Sequence, residues 1–123
     1  MSFGISGIDH VQIAVPKALE AQAIAFYRDV LGLTEIEKPA DMKGRGGAWF
    51  QAGDIQFHIG IDPEGSPPSK RHVCFLVPDL EKARTEALAH GLALEKDGPA
   101  EGLIRIFIRD PAGNRVEIGQ RLG

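Results

Sequence analysis

The chain holds a single cysteine, Cys74, so no intrachain disulfide can staple the fold. No apolar run approaches the roughly 18–20 residues that cross a bilayer. The opening stretch MSFGISGIDH places no basic segment before an apolar one, so no secretory leader is visible. Basic excess is also missing. A formal net charge of −3 and a pI near 5.8 argue against a nucleic-acid or anionic-membrane surface. There is no G-x-S-x-G elbow for serine hydrolysis. The glycine-rich KGRGG (43–47) lacks the G-K-[ST] ending of a phosphate loop. These absences leave a cytoplasmic globular protein as the expectation. Its 123 residues, 43% hydrophobic and 25% charged, suffice for one domain spanning 1–123.

What is present is a repetition. HVQIAVP at 10–16 returns as HVCFLVP at 72–78. Val11, Ile13 and Val15 alternate with His10, Gln12 and Ala14, as Val73, Phe75 and Val77 alternate with His72, Cys74 and Leu76. Period-two alternation predicts a half-buried strand, and the following proline stops it. A helical stripe comes next in both copies: Leu19, Ala23, Phe26, Tyr27, Val30 and Leu31, then Leu80, Ala83, Ala87 and Leu88 with Asp79 as N-cap. Gly32 and Gly91 stand where a helix terminus favours glycine. Three strand-like runs follow each helix: LTEIEK, GAWFQAG and DIQFHIGI in the first copy, and LALEKDG, GLIRIFIRD and NRVEIGQ in the second. Each half therefore reads β-α-β-β-β. Module 1 covers about 5–62, a proline-rich linker 62–71, and module 2 about 71–121.

The repeat extends to chemistry. His58 in FHIG and Glu117 in VEIG are equivalent positions, as His10 and His72 are. All four fall on the strand faces opposite the apolar series, together with Gln12, Gln56, Cys74, Arg105, Phe107, Arg109 and Arg115. If each curved sheet turns that face inward, three imidazoles and a carboxylate meet in a polar cup. Such a nitrogen and oxygen set suits a divalent zinc, nickel, cobalt, manganese or iron ion. His90 precedes Gly91 at a helix end and reads as a solvated residue favoured by the helix dipole.

The stretch IDHVQIAVP…FYRDVLGL, with RHVCFLVPDL, RDPAGNRVEIG and the doubled pattern, resembles the glyoxalase, bleomycin-resistance and extradiol-dioxygenase (vicinal oxygen chelate) superfamily. The resemblance covers essentially the whole chain. It implies an α+β fold in which two βαβββ modules form a curved mixed sheet with helices on its outer face. It implies His10, His72 and Glu117 as metal ligands, with His58 in a slot that supplies a fourth ligand in some members. Lactoylglutathione lyases tend to carry an acidic residue at that slot, where this chain has a histidine. The chemistry implied is chelation of two adjacent oxygens of a small substrate and stabilisation of an oxyanion or enediolate by a lyase, isomerase or transferase. Glu117 is the candidate proton-moving base. The resemblance also implies a homodimer whose sites draw one module from each chain.

Gln12, Trp49, Gln56, Cys74, Arg105, Phe107 and Arg109 are the expected pocket walls. Arg105, Arg109 and Arg45 are placed to steer an anionic substrate, and the loop 38–47 to act as a lid. Two rivals remain at this level: a metal-free, bleomycin-resistance-like binding protein using the same cup, and an extradiol-type dioxygenase.

Overall fold

The computed structural model describes residues 2–64, 69–95, 98 and 100–123. The first module contributes β1 (His10–Val15), β2 (Thr34–Ile36), β3 (Ala48–Ala52) and β4 (Ile55–Ile61). They lie in the order β1-β4-β3-β2, with β1 parallel to β4 and the other pairs antiparallel. The second contributes β5 (His72–Leu76), β6 (Leu103–Arg109) and β7 (Arg115–Arg121) in the order β5-β7-β6, with β5 parallel to β7. A parallel pair needs a long crossover, and each module places a helix in it. No helix among the described residues is long and apolar enough to cross a membrane.

The first helical stripe is not one regular helix. A 3-10 turn over Lys17–Leu19 leads into α1 (Glu20–Ala25), and a widened π turn covers Phe26–Val30. That turn closes with the Leu31 amide donating to the Phe26 carbonyl at 2.9 Å. The extra residue lets two consecutive aromatics, Phe26 and Tyr27, enter the core together. Helix α2 (Leu80–Ala89) is regular. The Asp79 carboxylate caps it by accepting from the Lys82 amide, and Leu80 and Ala87 are buried. Gly32 and Gly91, at φ +77° and +72°, end the two helices as their positions predict.

Among the described residues of the expected strand LALEKDG, a single isolated bridge forms, between Glu95 and Phe107. Leu92 and Leu94 pack against the core, but the consecutive charges of Glu95, Lys96 and Asp97 followed by Gly98 end the apolar alternation after two residues. Residues 96 and 97 lie outside the described ones. Among the described residues, the second sheet has three strands where the first has four.

One core serves both sheets. Phe57 of β4 meets Phe75 of β5 edge to face, ring centroids 5.2 Å apart, and Tyr27 packs against Phe57 at 4.7 Å. Ile106, Ile108, Val116 and Ile118 bring the second sheet's apolar face to the same core. The sheets thus pack through their apolar faces, and their hydrophilic faces turn outward.

A buried carboxylate ties the modules together. Asp110 accepts from the Tyr27 hydroxyl at 2.7 Å, while the Asn114 amide side chain also donates to the Ala14 carbonyl at 3.0 Å. Burial, and then the Asp110 charge, push the Tyr27 phenol's pKa well up, so it stays a donor. The 38–47 loop is braced rather than hanging free. Ala40–Arg45 forms a 3-10 turn, Lys38 donates to the Gly46 carbonyl, and the Gly47 amide donates to Glu20.

Candidate metal centre

Strand register decides which side chains share a face. His10 pairs with Gln56 and Gln12 with His58, and Trp49 faces His58 from β3. Cys74 and Phe107 both sit opposite Glu117. Every residue named from the sequence alternation therefore lies on its expected face. The structure gathers them into two clusters, one per module.

In module 2, His72 Nε2 lies 2.8 Å from Glu117 Oε1, and His72 Nδ1 lies 2.7 Å from the Lys70 carbonyl. A carbonyl can only accept, so Nδ1 carries the proton and donates it. Nε2 then also faces an acceptor. A doubly protonated ring satisfies that arrangement, and so does a cation shared between Nε2 and the carboxylate. Glu117 is only 3% exposed, and Arg105 approaches its other oxygen at 3.4 Å. Phe107 is buried on this hydrophilic face because Arg115 and Arg105 cover its ring at 3.9 and 5.0 Å and His72 meets its edge. Arg109 is spent as a brace: its guanidinium donates to Glu95 and to the Ser69 and Gly113 carbonyls.

Cys74 stands beside Glu117. Burial, and next the neighbouring carboxylate, push its thiol up to about 11, so it is a protonated wall residue and not a thiolate nucleophile.

In module 1, Asp9 Oδ2 holds His10 Nδ1 at 2.8 Å, which leaves Nε2 for a ligand. His58 is buried and sandwiched. Trp49 stacks on one face at 3.9 Å, and His10 on the other at 4.3 Å with 14° between planes. Its Nε2 is engaged by Gln56 Oε1 at 2.8 Å. Burial first, and then His10, hold its pKa below the ordinary histidine value, so the ring stays neutral. An imidazole grips a metal close to its own ring plane. Two nearly parallel rings stacked this way share no such point, so this geometry presents His10 and keeps His58 as its support.

Among the described residues, no three His, Cys, Asp or Glu side chains gather closely enough to hold one ion within the chain. Packing explains why, since the two hydrophilic faces look away from each other across the shared core. Sequence reasoning missed Asp9 and the Tyr27–Asp110–Asn114 clamp. The first was signalled only by its place beside His10, and the second by nothing short of the tertiary fold.

The chain is 28% identical to virulence protein STM3117 of Salmonella typhimurium over 127 aligned positions, covering 94% of this chain and 85% of that protein. Among solved structures, one assigned to the glyoxalase family from Bacillus anthracis matches with a TM-score of 0.90 at 37% identity, covering 99% of this chain and all of that one. Lactoylglutathione lyase from Agrobacterium tumefaciens matches with a TM-score of 0.75 at 26% identity over 95% of each chain. A family profile described as Glyoxalase/Bleomycin resistance protein/Dioxygenase superfamily matches residues 7–118. Members of that group bind small molecules, commonly use divalent metals and are often dimers. The chain belongs to the Glyoxalase/Bleomycin resistance protein/Dioxygenase superfamily.

Proposed function

We propose that the protein is a metal-dependent glyoxalase-like enzyme, a lyase, isomerase or transferase acting on a small substrate with two adjacent oxygens. In this reading it works as a homodimer with two sites. Each site combines the His10 face of one copy with the His72–Glu117 face of a second. The carrying observation is the presentation of the two histidines. Asp9 and the Lys70 carbonyl hold His10 and His72 by Nδ1, so both offer Nε2. Beside His72 lies the buried Glu117 carboxylate. Two imidazole nitrogens and one carboxylate suit zinc, nickel, cobalt, manganese or iron.

A bound divalent ion supplies Lewis-acid stabilisation of negative charge developing on the substrate's adjacent oxygens. The remaining work belongs to the chain. Glu117 takes the proton from the neighbouring carbon, and Arg105, beside its second oxygen, holds the carboxylate in position. Trp49 and the His58 ring form a rigid wall that orients the substrate and keeps His10 from rotating away. Arg105 and Arg115 lend the mouth positive charge, which favours an anionic substrate.

The direct hydrogen bond between His72 and Glu117 also favours a second reading, a metal-free binding protein using the same cup. Metal analysis separates the two. Protein purified without chelator is expected to retain divalent metal, and His72→Ala and Glu117→Gln to lose it. The loaded protein is then offered 2-oxoaldehyde–thiol adducts, epoxides and catechols. Near-zero metal in wild type and variants alike, with ligand binding but no turnover, overturns the enzyme reading.

A further inference from the structure

Three large apolar side chains lie outside every packed surface. Phe3 is 99% exposed, Ile5 82% and Ile8 67%, and every residue from Ser2 to Asp9 is exposed. Monomeric proteins scatter single apolar residues over their surface, but a short segment presenting three of them is a contact waiting for its partner surface. At its base the arm is fixed, since the Asp9 carbonyl accepts from the Gln56 amide at 3.1 Å.

The same chain carries a surface of matching chemistry. On the apolar face of the second sheet, opposite His72 and Glu117, lies a cavity of about 630 Å³. Val73, Phe75, Ala83 and Ile106 line it from module 2, and Leu31 and Ile55 from module 1. One border is strand β5, which among the described residues has a neighbour, β7, on only one edge. The Val77 amide donates to the Gly119 carbonyl across that β5–β7 pair, so residues 73, 75 and 77 turn their backbone groups to β7. Cys74 and Leu76 turn theirs to the open edge, and Leu76 is 52% exposed.

We propose that the N-terminal arm, residues 2–9, of one copy adds as a strand to the open edge of β5 on a second copy and seats Phe3 and Ile5 in the cavity. Alternation supports the fit. Once extended as a strand, which requires Gly4 to leave its present φ of +72°, the arm puts Phe3 and Ile5 on one face and Gly4 and Ser6 on the other. An extended peptide pairs the edge's backbone groups as well as filling the cavity, whereas a small apolar molecule does only the second. Within one chain the arm stays exposed, although its base at Gln56 adjoins the cavity-lining Ile55. The contact is reciprocal between two copies, as a two-fold dimer requires. It rests on the dimeric reading above only in requiring that two copies meet.

The native thiol at position 74 supplies the test. In the seated arm one of Gly4 and Ser6 stands directly opposite Cys74 within disulfide reach, and the other lies one diagonal step away. Of Gly4→Cys and Ser6→Cys, oxidised in dilute solution, one is expected to give covalent dimers linked through Cys74, and which one does so reads the register. Cys74→Ser abolishes the link, and Thr85→Cys on the outer helix gives only collisional background. A second arm of the test uses Phe3→Asp with Ile5→Asp. It is expected to raise the dimer dissociation constant about tenfold. It should also let the dye anilinonaphthalene sulfonate enter the emptied cavity, which the wild type excludes. Intrachain links from either cysteine variant, background-level links from both, or equal dye binding by wild type and variant overturn the proposal. Metal content is measured on the same samples. Wild-type metal in a protein that forms no cross-link sinks the arm contact alone, whereas absent metal with intact cross-links sinks the shared site alone.

Discussion

Replacing Tyr27 by Phe removes one oxygen and tests how the modules are joined. Asp110 is 4% exposed and accepts from the Tyr27 hydroxyl at 2.7 Å, the Ala112 amide at 2.8 Å, and the Asn114 amide and side chain at 2.9 Å each. A hydrogen bond to a charged group contributes about 1.5–3 kcal/mol. The other three donors remain in the variant, and the phenyl ring keeps its packing against Phe57 and Phe26. The loss should therefore fall near the lower end, about 1.5–2 kcal/mol. For a chain of this length that lowers Tm by roughly 5–10 °C. Urea unfolding followed by circular dichroism measures it, with an unchanged m-value showing that stability alone has changed. Asp110→Ala should cost more, about 4 kcal/mol, because it strands several buried donors at once. A double-mutant cycle with Asp110→Ala, which leaves no group to bond the hydroxyl, isolates the Tyr27 contact. A Tyr27→Phe loss under about 0.5 kcal/mol, within the range of ordinary surface substitutions, refutes the clamp.

Other outcomes follow from single contacts. Gly47 sits at φ +80°, and a Cβ there would stand 2.0 Å from the Ile59 carbonyl oxygen, so Gly47→Ala should cost about 3 kcal/mol in urea unfolding. Glu20 is held below the ordinary glutamate range by Lys17 first and the Gly47 amide second. Its stabilisation of the 38–47 loop is thus complete above that ordinary value and disappears as pH falls through the lower folded one. The protection factor of the Gly47 amide, its exchange rate corrected for the intrinsic pH dependence, should fall below roughly pH 4, and Glu20→Gln should remove that fall. At the candidate centre, His10→Ala should abolish tight metal binding, whereas His58→Gln should weaken it only about tenfold, as for a residue that supports a ligand. Isothermal titration of each variant with zinc checks this, and equal losses would return His58 to the ligand set.

Most of the architecture was legible because the chain says the same thing twice. Alternation in HVQIAVP and HVCFLVP marked two half-buried strands and the faces of His10 and His72, and Gly32 and Gly91 marked both helix ends. The π turn at Phe26–Val30 was not legible, since its apolar spacing equally suits a regular helix and only core packing selects the wider turn. LALEKDG read as a strand from its position in the repeat, but its apolar alternation stops at Leu94 and the charges that follow favour no ladder. The site was legible as residue types on a face. Its division into two outward-looking halves was implied only by the family resemblance, since its cause, Phe57 meeting Phe75 through the core, leaves no local pattern. The stacking of His58 between Trp49 and His10 likewise arises from cross-strand register, which no local pattern records.

The most direct test of the shared site is metal stoichiometry in a mixed dimer. His10→Ala and Glu117→Gln chains, carrying different affinity tags, are unfolded together, refolded and isolated as heterodimers. If each site draws His10 from one copy and Glu117 from the other, one site carries both lesions and the other is intact. The heterodimer should then bind one divalent ion tightly while each parent binds none. A heterodimer as empty as its parents contradicts the account.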